Sequence, residues 1–352
     1  MCFHRAHSQE DLFQEANPMS KFLIVGHGLA GAVLAHTLIE KKQDVSVMDT
    51  NLGHSASSVS VGLVNPLIGP KLNLPKKMVD CLQVNQKFFA HYEKTWDQNF
   101  YTKIRFNRIF TSEKQKAIWQ KKSNQPQYQS FIGEVLKVSY YQKMEVNAEF
   151  AGGLTLQTYQ LQVGDFLQAS KEKLEELNAW EINKFKEDSL TSKFKIIFCE
   201  GFRVLENPWF NYLPFEPARG EVLKVTGDRH EAMSNGSWYL PQQNGDAFMG
   251  STWDHKNLTI GPTNKGKEEI IKNCKFLKLK NNQISCHLSG VRSGTKDRNP
   301  ILGVHPKHKN LFLFNGFGSR GTTNIPYYAE KMSEFLLEEK NLPKEVNLLR
   351  FS

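Results

Sequence analysis

The chain has 352 residues, 39% of them hydrophobic, with a formal net charge of +9. That length gives room for two domains with a sizeable core, and no stretch approaches the roughly 20 apolar residues of a membrane-spanning helix. Five cysteines (Cys2, Cys81, Cys199, Cys274, Cys286) lie scattered without a C-x-x-C pair, which suits a reducing compartment better than a disulfide scaffold; Cys286-His287 lacks a second ligand pair, so no metal is expected.

Residues 1–20 are polar, of mixed charge and without an apolar run, unlike a signal or transit peptide. They are expected to be a disordered extension, with Met19 a plausible start. Phe22 to Val25 is a continuous apolar run suited to a strand buried on both faces. Gly26, Gly28 and Gly31 follow at G-x-G-x-x-G spacing, and Ala32 to Leu38 continues as small and apolar residues at helical spacing. Val45 to Met48 is a second strand, ending in Asp49. In such a unit the first glycine allows the turn, the second lets a pyrophosphate approach the backbone, and the third packs helix on sheet. The helix N-terminus offers free N–H groups to phosphate, and the acidic residue accepts from a ribose hydroxyl. A dinucleotide site is therefore expected here, with FAD and NAD both open at this point. His27, inside the turn, is expected to point to solvent.

The loop SASSVSVGLVNPLIGPKLN carries small hydroxylated residues that suit a cofactor wall. A helix is expected over about 77–98, a strand over Ile104 to Thr111 and a charged helix over 112–122. The run GGLTLQTYQLQV from Gly152 reads as strand, then Gly164 to Leu177 as an amphipathic helix and Lys195 to Glu200 as a buried strand ending at Gly201. Glu221 to Val225 is a further strand. Trp238 to Pro241 and Ala247 to Thr252 form a hairpin around Asn244-Gly245-Asp246. A lysine-rich helix is expected over about 265–280. The favoured reading of the net charge is a solvated face carrying Lys265, Lys267, Lys272, Lys275, Lys278 and Lys280, with RNA or an acidic substrate as the alternative. The chain closes with a buried strand, a glycine-rich turn and a helix from about Pro326 to Glu338.

These pieces resemble the glycine/D-amino-acid oxidase family of FAD proteins. The resemblance spans nearly all of 21–345, through GHGLAG with Asp49, SSVSVGLVNP, IIFCEGF, PARGEVLKV, YLPQQNGDAFMGSTW, SGVRSGTKDRNPILG and LFLFNGFGSRGTT. The turn GFGSRG is also similar to the flavin-oxidase half of the bifunctional enzymes that build methylaminomethyl-uridine in tRNA. The resemblance implies an α/β (α+β) fold like that of p-hydroxybenzoate hydroxylase. A Rossmann-like FAD domain of 21–80, 160–205 and 286–345 would be interleaved with a mixed-sheet substrate domain of 81–159 and 206–285.

It further implies non-covalent FAD, because Gly290 stands where the covalent branch has a cysteine. FAD would lie against Gly26, Gly28, Leu29, Ala30, Gly31, Asp49, Ser57, Ser58, Gly62, Leu63, Gly201, Gly316, Gly318, Ser319, Arg320, Gly321 and Thr322. The last helix would aim its N-terminus at the flavin pyrimidine and stabilise the reduced anion. Arg292 would clamp a substrate carboxylate with two parallel hydrogen bonds, helped by Tyr239. A hydride would then pass from the α-carbon to the flavin, leaving an imine for water to hydrolyse. Asp49 replaces the usual glutamate, and Cys199-Glu200-Gly201 puts an unusual carboxylate near the cofactor or the sheet end. The expected activity is oxidation of a small amino acid or N-substituted glycine, in the cytoplasm and without a membrane partner. The alternatives are action on carboxymethylaminomethyl-uridine in tRNA and a non-catalytic flavin-binding role; an NAD-dependent dehydrogenase is disfavoured, because it would leave the C-terminal glycine turn without a task.

Overall fold

The computed structural model describes residues 22–50, 55–186, 194–226, 231–242, 244–277 and 283–351. The expectations for residues 1–20, and for the lysine-rich helix beyond residue 277, lie outside the described residues.

The apolar run at the start becomes β1 (Phe22–Val25), central in a six-stranded sheet. Its parallel neighbours are β2 (Val45–Asp49) and β10 (Lys195–Phe198). Outside these lie β9 (Trp180–Ile182) beside β2, and β17 (Leu311–Asn315) beside β10, with antiparallel β16 (Ile301–Val304) at the edge. Both faces of this sheet are covered, which is why its central strands read as unbroken apolar runs. One face packs on α1 (Leu29–Glu40), α2 (Met78–Trp96), α5 (Val163–Glu176) and α7 (Gly321–Glu338), around Ile24, Ala35, Phe89, Phe166 and Ala329. The other packs Val25, Ile196, Phe198 and Leu313 against Phe210, Leu213 and Phe215.

The second layer is an eight-stranded mixed sheet. Its order is β15 (Ile284–Arg292), β11 (Ala218–Thr226), β14 (Asp246–Gly250), β13 (Trp238–Pro241), β12 (Ala232–Ser234), β5 (Phe106–Ile109), β7 (Gly152–Thr155) and β6 (Ile132–Leu136). One side is closed by α4 (Val138–Gln142) and α6 (Asn264–Asn273), through Tyr141, Ile270 and Cys274. At the far edge α3 (Glu113–Ser123) buries Trp119 over Gly153. A small sheet of β3 (Leu63–Val64), β8 (Tyr159–Leu161) and β4 (Tyr101–Lys103) completes the fold.

Several expected elements shift. The expected strand at 104–111 is β5 alone, and the run from Gly152 breaks into β7 and β8, which belong to different sheets. The break falls at Gln157, whose φ of 51° no strand continues through. The domain boundaries move too. β15 pairs with β11 from Ala218↔Arg292 to Val225↔Ile284, so residues 284–292 belong to the eight-stranded sheet rather than to the cofactor segment. Conversely α2, placed with the substrate segment, packs on α7 in the cofactor layer.

The closing helix begins at Gly321 and contains Pro326, which sequence reading made its start. A proline here lacks the N–H that would bond the carbonyl four residues back. Fully buried Asn85 of α2 supplies the missing donor, its Nδ2 giving a 2.9 Å hydrogen bond to Thr322 O. The helix therefore extends back into the glycine-rich turn.

Candidate active site

A cavity of about 1310 Å³ runs between the two large sheets. Most ligand pockets hold roughly 300–1,000 Å³, so this one has room for an extended dinucleotide and a second molecule.

At one end lies the turn after β1. Gly26 has φ +101°, and a Cβ there would sit 2.8 Å from Cys199 O of the adjoining strand end. A Cβ on Gly31 would sit 1.8 Å from Gly26 O, which forces glycine where α1 meets the turn. Gly28, Leu29 and Ala30 line the cavity at the N-terminus of α1, which has no side-chain cap and no acidic residue in its first turn. Ser57 Oγ accepts from Leu29 N–H at 3.0 Å, and Ser57, Ser58, Gly62 and Leu63 continue the wall.

Asp49 lines the cavity at the end of β2, where its carboxylate accepts from His27 N–H. His27 does not point to solvent. Its Nε2 lies 2.9 Å from Ser170 Oγ on α5, and its ring packs edge-on against Trp180. His36 Nε2 shares the same hydroxyl at 2.9 Å. Burial pulls the two imidazoles down to about 4 and about 3, so both are neutral at physiological pH. Beyond Asp49, Trp180, Asn183, Lys184, Phe185 and Trp209 form the wall that sequence reading left blank. Gly201 and Glu200 face it from the end of β10. Burial raises the Glu200 carboxyl to about 7, although Asn207 Nδ2 donates to it at 2.7 Å.

The second glycine turn reaches the same cavity. Gly318, Ser319, Arg320, Gly321 and Thr322 line it, while Gly316 sits just behind, against Thr295 and Ile301. The N-terminus of α7 likewise has no side-chain cap and no acidic residue in its first turn. Two uncapped helix N-termini, α1 and α7, thus bound one cavity, each offering N–H donors and a positive dipole end. Arg320 leans to the rim, where Nη2 donates to Arg298 O at 3.1 Å.

The remaining wall is one face of the eight-stranded sheet. A single register row crosses it: Arg108 (β5), Ser234 (β12), Trp238 (β13), Gly250 (β14) and Val222 (β11). The next row, Asn107, Met233, Tyr239, Met249 and Leu223, faces the opposite side. Tyr239 is fully buried there among Met233, Met249 and Ile270, so it is not the cavity hydroxyl expected from sequence. Its neighbour Trp238 lines the cavity instead. Side chains alternate along a strand, and the residue names do not reveal which of two adjacent aromatics points inward.

Arg292 stands at the end of β15 and lines the cavity. Its guanidinium crosses above Gly220, where a Cβ would fall 2.2 Å from Nη2. Nη2 donates to Ser251 Oγ at 2.7 Å, Nη1 reaches Thr252 O at 3.4 Å, and the group lies 4.8 Å from the Trp253 ring centroid. Burial lowers its pKa to about 10, which leaves it charged at neutral pH, and no ion-pair partner is found among the described residues. Buried Arg219, two residues from Glu221, shows the contrast. It is paired with Glu221 at 2.9 Å and Asp254 at 3.3 Å.

Compared with known proteins, residues 21–335 match the DAO family, FAD dependent oxidoreductase. The chain belongs to the DAO family. It is 24% identical over 420 aligned positions, 98% of this chain and 63% of the relative, to a tRNA 5-methylaminomethyl-2-thiouridine biosynthesis bifunctional protein of Leptospira interrogans. It is 26% identical over 130 residues to glycine oxidase of Pseudomonas putida, covering 35% of this chain and 36% of that one. A similar bifunctional protein of Idiomarina loihiensis matches at 25% over 50% of this chain, which spans only 30% of the relative's length. Among solved structures, glycine oxidase from Geobacillus kaustophilus superposes with a TM-score of 0.76 at 17% identity, covering 95% of this chain and 98% of that one. Iminodiacetate oxidase from Chelativorans sp. BNC1 gives 0.75 at 15%, covering 94% and 98%. These likenesses show that the chain shares the mixed α/β fold of the glycine oxidase structures.

This chain therefore carries an FAD-dependent oxidoreductase domain of the DAO family, and its residues fit the cofactor. The α1 turn suits a pyrophosphate, Asp49 a ribose, and the N-terminus of α7 an electron-rich flavin ring. A Cβ on Gly290 would lie 2.4 Å from Val59 Cγ2, so the cysteine of the covalent branch would not fit without movement. Among the described residues, no helix is long and apolar enough to cross a membrane and no cluster suits a metal.

Proposed function

We propose that the protein oxidises the C–N bond of a small amino acid or N-substituted glycine. The observation that carries this reading is Arg292, a desolvated guanidinium with no carboxylate beside it, on the wall of the cofactor cavity. Such a group is costly to bury unless a ligand completes it, and a planar carboxylate matches its fork with two charge-assisted hydrogen bonds. Ser251 Oγ and Thr252 O hold the guanidinium from one side, and Gly220 leaves the space over which it extends. Held this way, the substrate's carboxylate fixes the direction of its α-carbon, which removes much of the entropic cost of alignment. Trp238 and Val222 add apolar walls that displace water from the reacting carbon. FAD, when bound, supplies the two-electron acceptor.

The test is anaerobic addition of glycine, sarcosine and other N-substituted glycines to the purified FAD-loaded protein, following the visible flavin band. Bleaching is expected, and Arg292→Ala should lower kcat/KM for carboxylated substrates about 100-fold, as expected for loss of a charged bidentate contact. Bound flavin should remain. Unchanged kinetics in that variant, or no bleaching by any carboxylated amine, rejects the reading.

A second reading has the N-substituted glycine carried on a tRNA uridine. Trp253, 56% exposed beside Arg292 at the cavity wall, offers a ring on which a base can stack. Bleaching by tRNA but not by free amino acids, weakened by added salt, would select it.

A further inference from the structure

We infer that Arg108 forms a second oxyanion site in the same cavity, taking a carboxylate or phosphate at the end of the substrate remote from its glycine unit. The inference rests on the proposed reading of Arg292 for the near end of that substrate. Arg108 sits mid-strand in β5, 6% exposed, on the cavity wall. One hydrogen bond is found for its side chain, Nη2 to Gly69 O at a long 3.3 Å, and its buried Nε has no partner. No ion-pair partner is found among the described residues, and burial alone acts on its charge.

A neutral carbonyl at that distance does not offset the desolvation of a guanidinium. Arg219, equally buried in the same sheet, shows how this fold treats a cation that serves structure alone. It receives two carboxylates and the carbonyls of Ile260 and Gly261. Arg108 receives no carboxylate among the described residues, yet it lines the space the substrate enters. A planar oxyanion would accept from the guanidinium N–H groups not used by Gly69.

The spacing constrains the ligand. Arg108 and Gly250 share one register row, with β12 and β13 between their strands. Three strand spacings at about 4.8 Å put them roughly 15 Å apart. The Arg292 guanidinium is held by Ser251, the next residue after Gly250. Glycine or sarcosine cannot reach both ends. A molecule with a second anion several bonds beyond the amine can.

The experiment is calorimetric titration of the FAD-loaded enzyme with N-(carboxypentyl)glycine, its phosphate-terminated analogue and uncharged N-hexylglycine, using wild type, Arg108→Gln, Arg108→Lys and Arg292→Ala. The wild type should bind at least one anion-terminated ligand about tenfold more tightly than the uncharged one, and the preferred terminus identifies the oxyanion. Arg108→Gln should abolish that preference while leaving N-hexylglycine affinity within about twofold, and Arg108→Lys should retain part of it. Equal affinities in wild type, or a preference unaltered by Arg108→Gln, overturns the inference, as does absence of binding by all three ligands. Should Arg108→Gln fail to fold, the wild-type preference and its retention in Arg108→Lys still decide. Arg292→Ala should weaken all three ligands alike. If no ligand bleaches the flavin but the Arg108-dependent preference stands, the amine-oxidation reading fails and the oxyanion site survives.

Discussion

Glu200 brings a carboxyl to the cavity at the end of β10, and burial holds its pKa near 7 against an ordinary 4.5. The folded protein therefore keeps this proton over a pH range where the unfolded chain has lost it. The associated stability is fully present below about pH 4.5 and is lost as pH rises toward 7, by at most about 3 kcal/mol. Glu200→Gln should thus be more stable than wild type at pH 8, with the gap closing toward pH 4.5, in thermal melts of the cofactor-free protein. A pH-independent gap would mean that the carboxyl is not desolvated. Of the residues named in sequence reading, Gly26 and Asp49 line the cavity and Gly31 packs against the turn, positions set by local backbone geometry. Those it missed or misplaced depend on what lies across the chain. Arg108 is one alternating residue in FNRI with no local mark, and Tyr239 and Trp238 differ only in the face on which register sets them.

At the scale of elements, α5 is tied to the phosphate turn and to α1 through one hydroxyl. Ser170 Oγ meets His27 of the turn and His36 of α1, in a site where Ser170 is wholly buried. Ser170→Ala would leave two buried imidazole nitrogens without that partner, at a cost of about 1–3 kcal/mol in urea unfolding. FAD affinity should fall as well, because His27 lies between Gly26 and Gly28. An unchanged midpoint together with unchanged affinity would show that the hydroxyl holds nothing in place. Helix positions were legible from apolar spacing, since α2 and α5 sit within a residue or two of their expected ends, while α1 begins three residues before the expected Ala32. The start of α7 was not, because the partner that makes Pro326 tolerable is Asn85, remote in sequence. Likewise the residue names do not mark the break at Gln157, after which β8 pairs with β3 and β4 while β7 pairs with β5 and β6.

For the whole molecule, the cofactor wall is drawn from both ends of the chain, from Gly26–Leu29 before α1 to Gly318–Thr322 at the start of α7. Neither helix has a side-chain cap from its own N-cap residue, and of the α1 N–H groups Leu29 alone is taken by a neighbouring side chain, Ser57, among the described residues. FAD that binds the folded state and not the unfolded one stabilises by mass action, about 2.7 kcal/mol at a free concentration 100 times its Kd. The holoprotein should therefore melt several degrees above the apoprotein, with Tm rising as FAD is added. ADP spans only the Gly26–Asp49 end, so it should give a smaller rise at equal free concentration if α7 contributes to holding the flavin. An equal effect of ADP and FAD at matched concentrations relative to Kd remains compatible with ligand linkage, so the deciding quantity is affinity itself. FAD must bind more tightly than ADP, and Gly318→Val should reduce FAD affinity while sparing ADP. If Gly318→Val left the FAD affinity unchanged, the C-terminal turn would have no part in holding the cofactor, and one cavity wall would not mean one ligand.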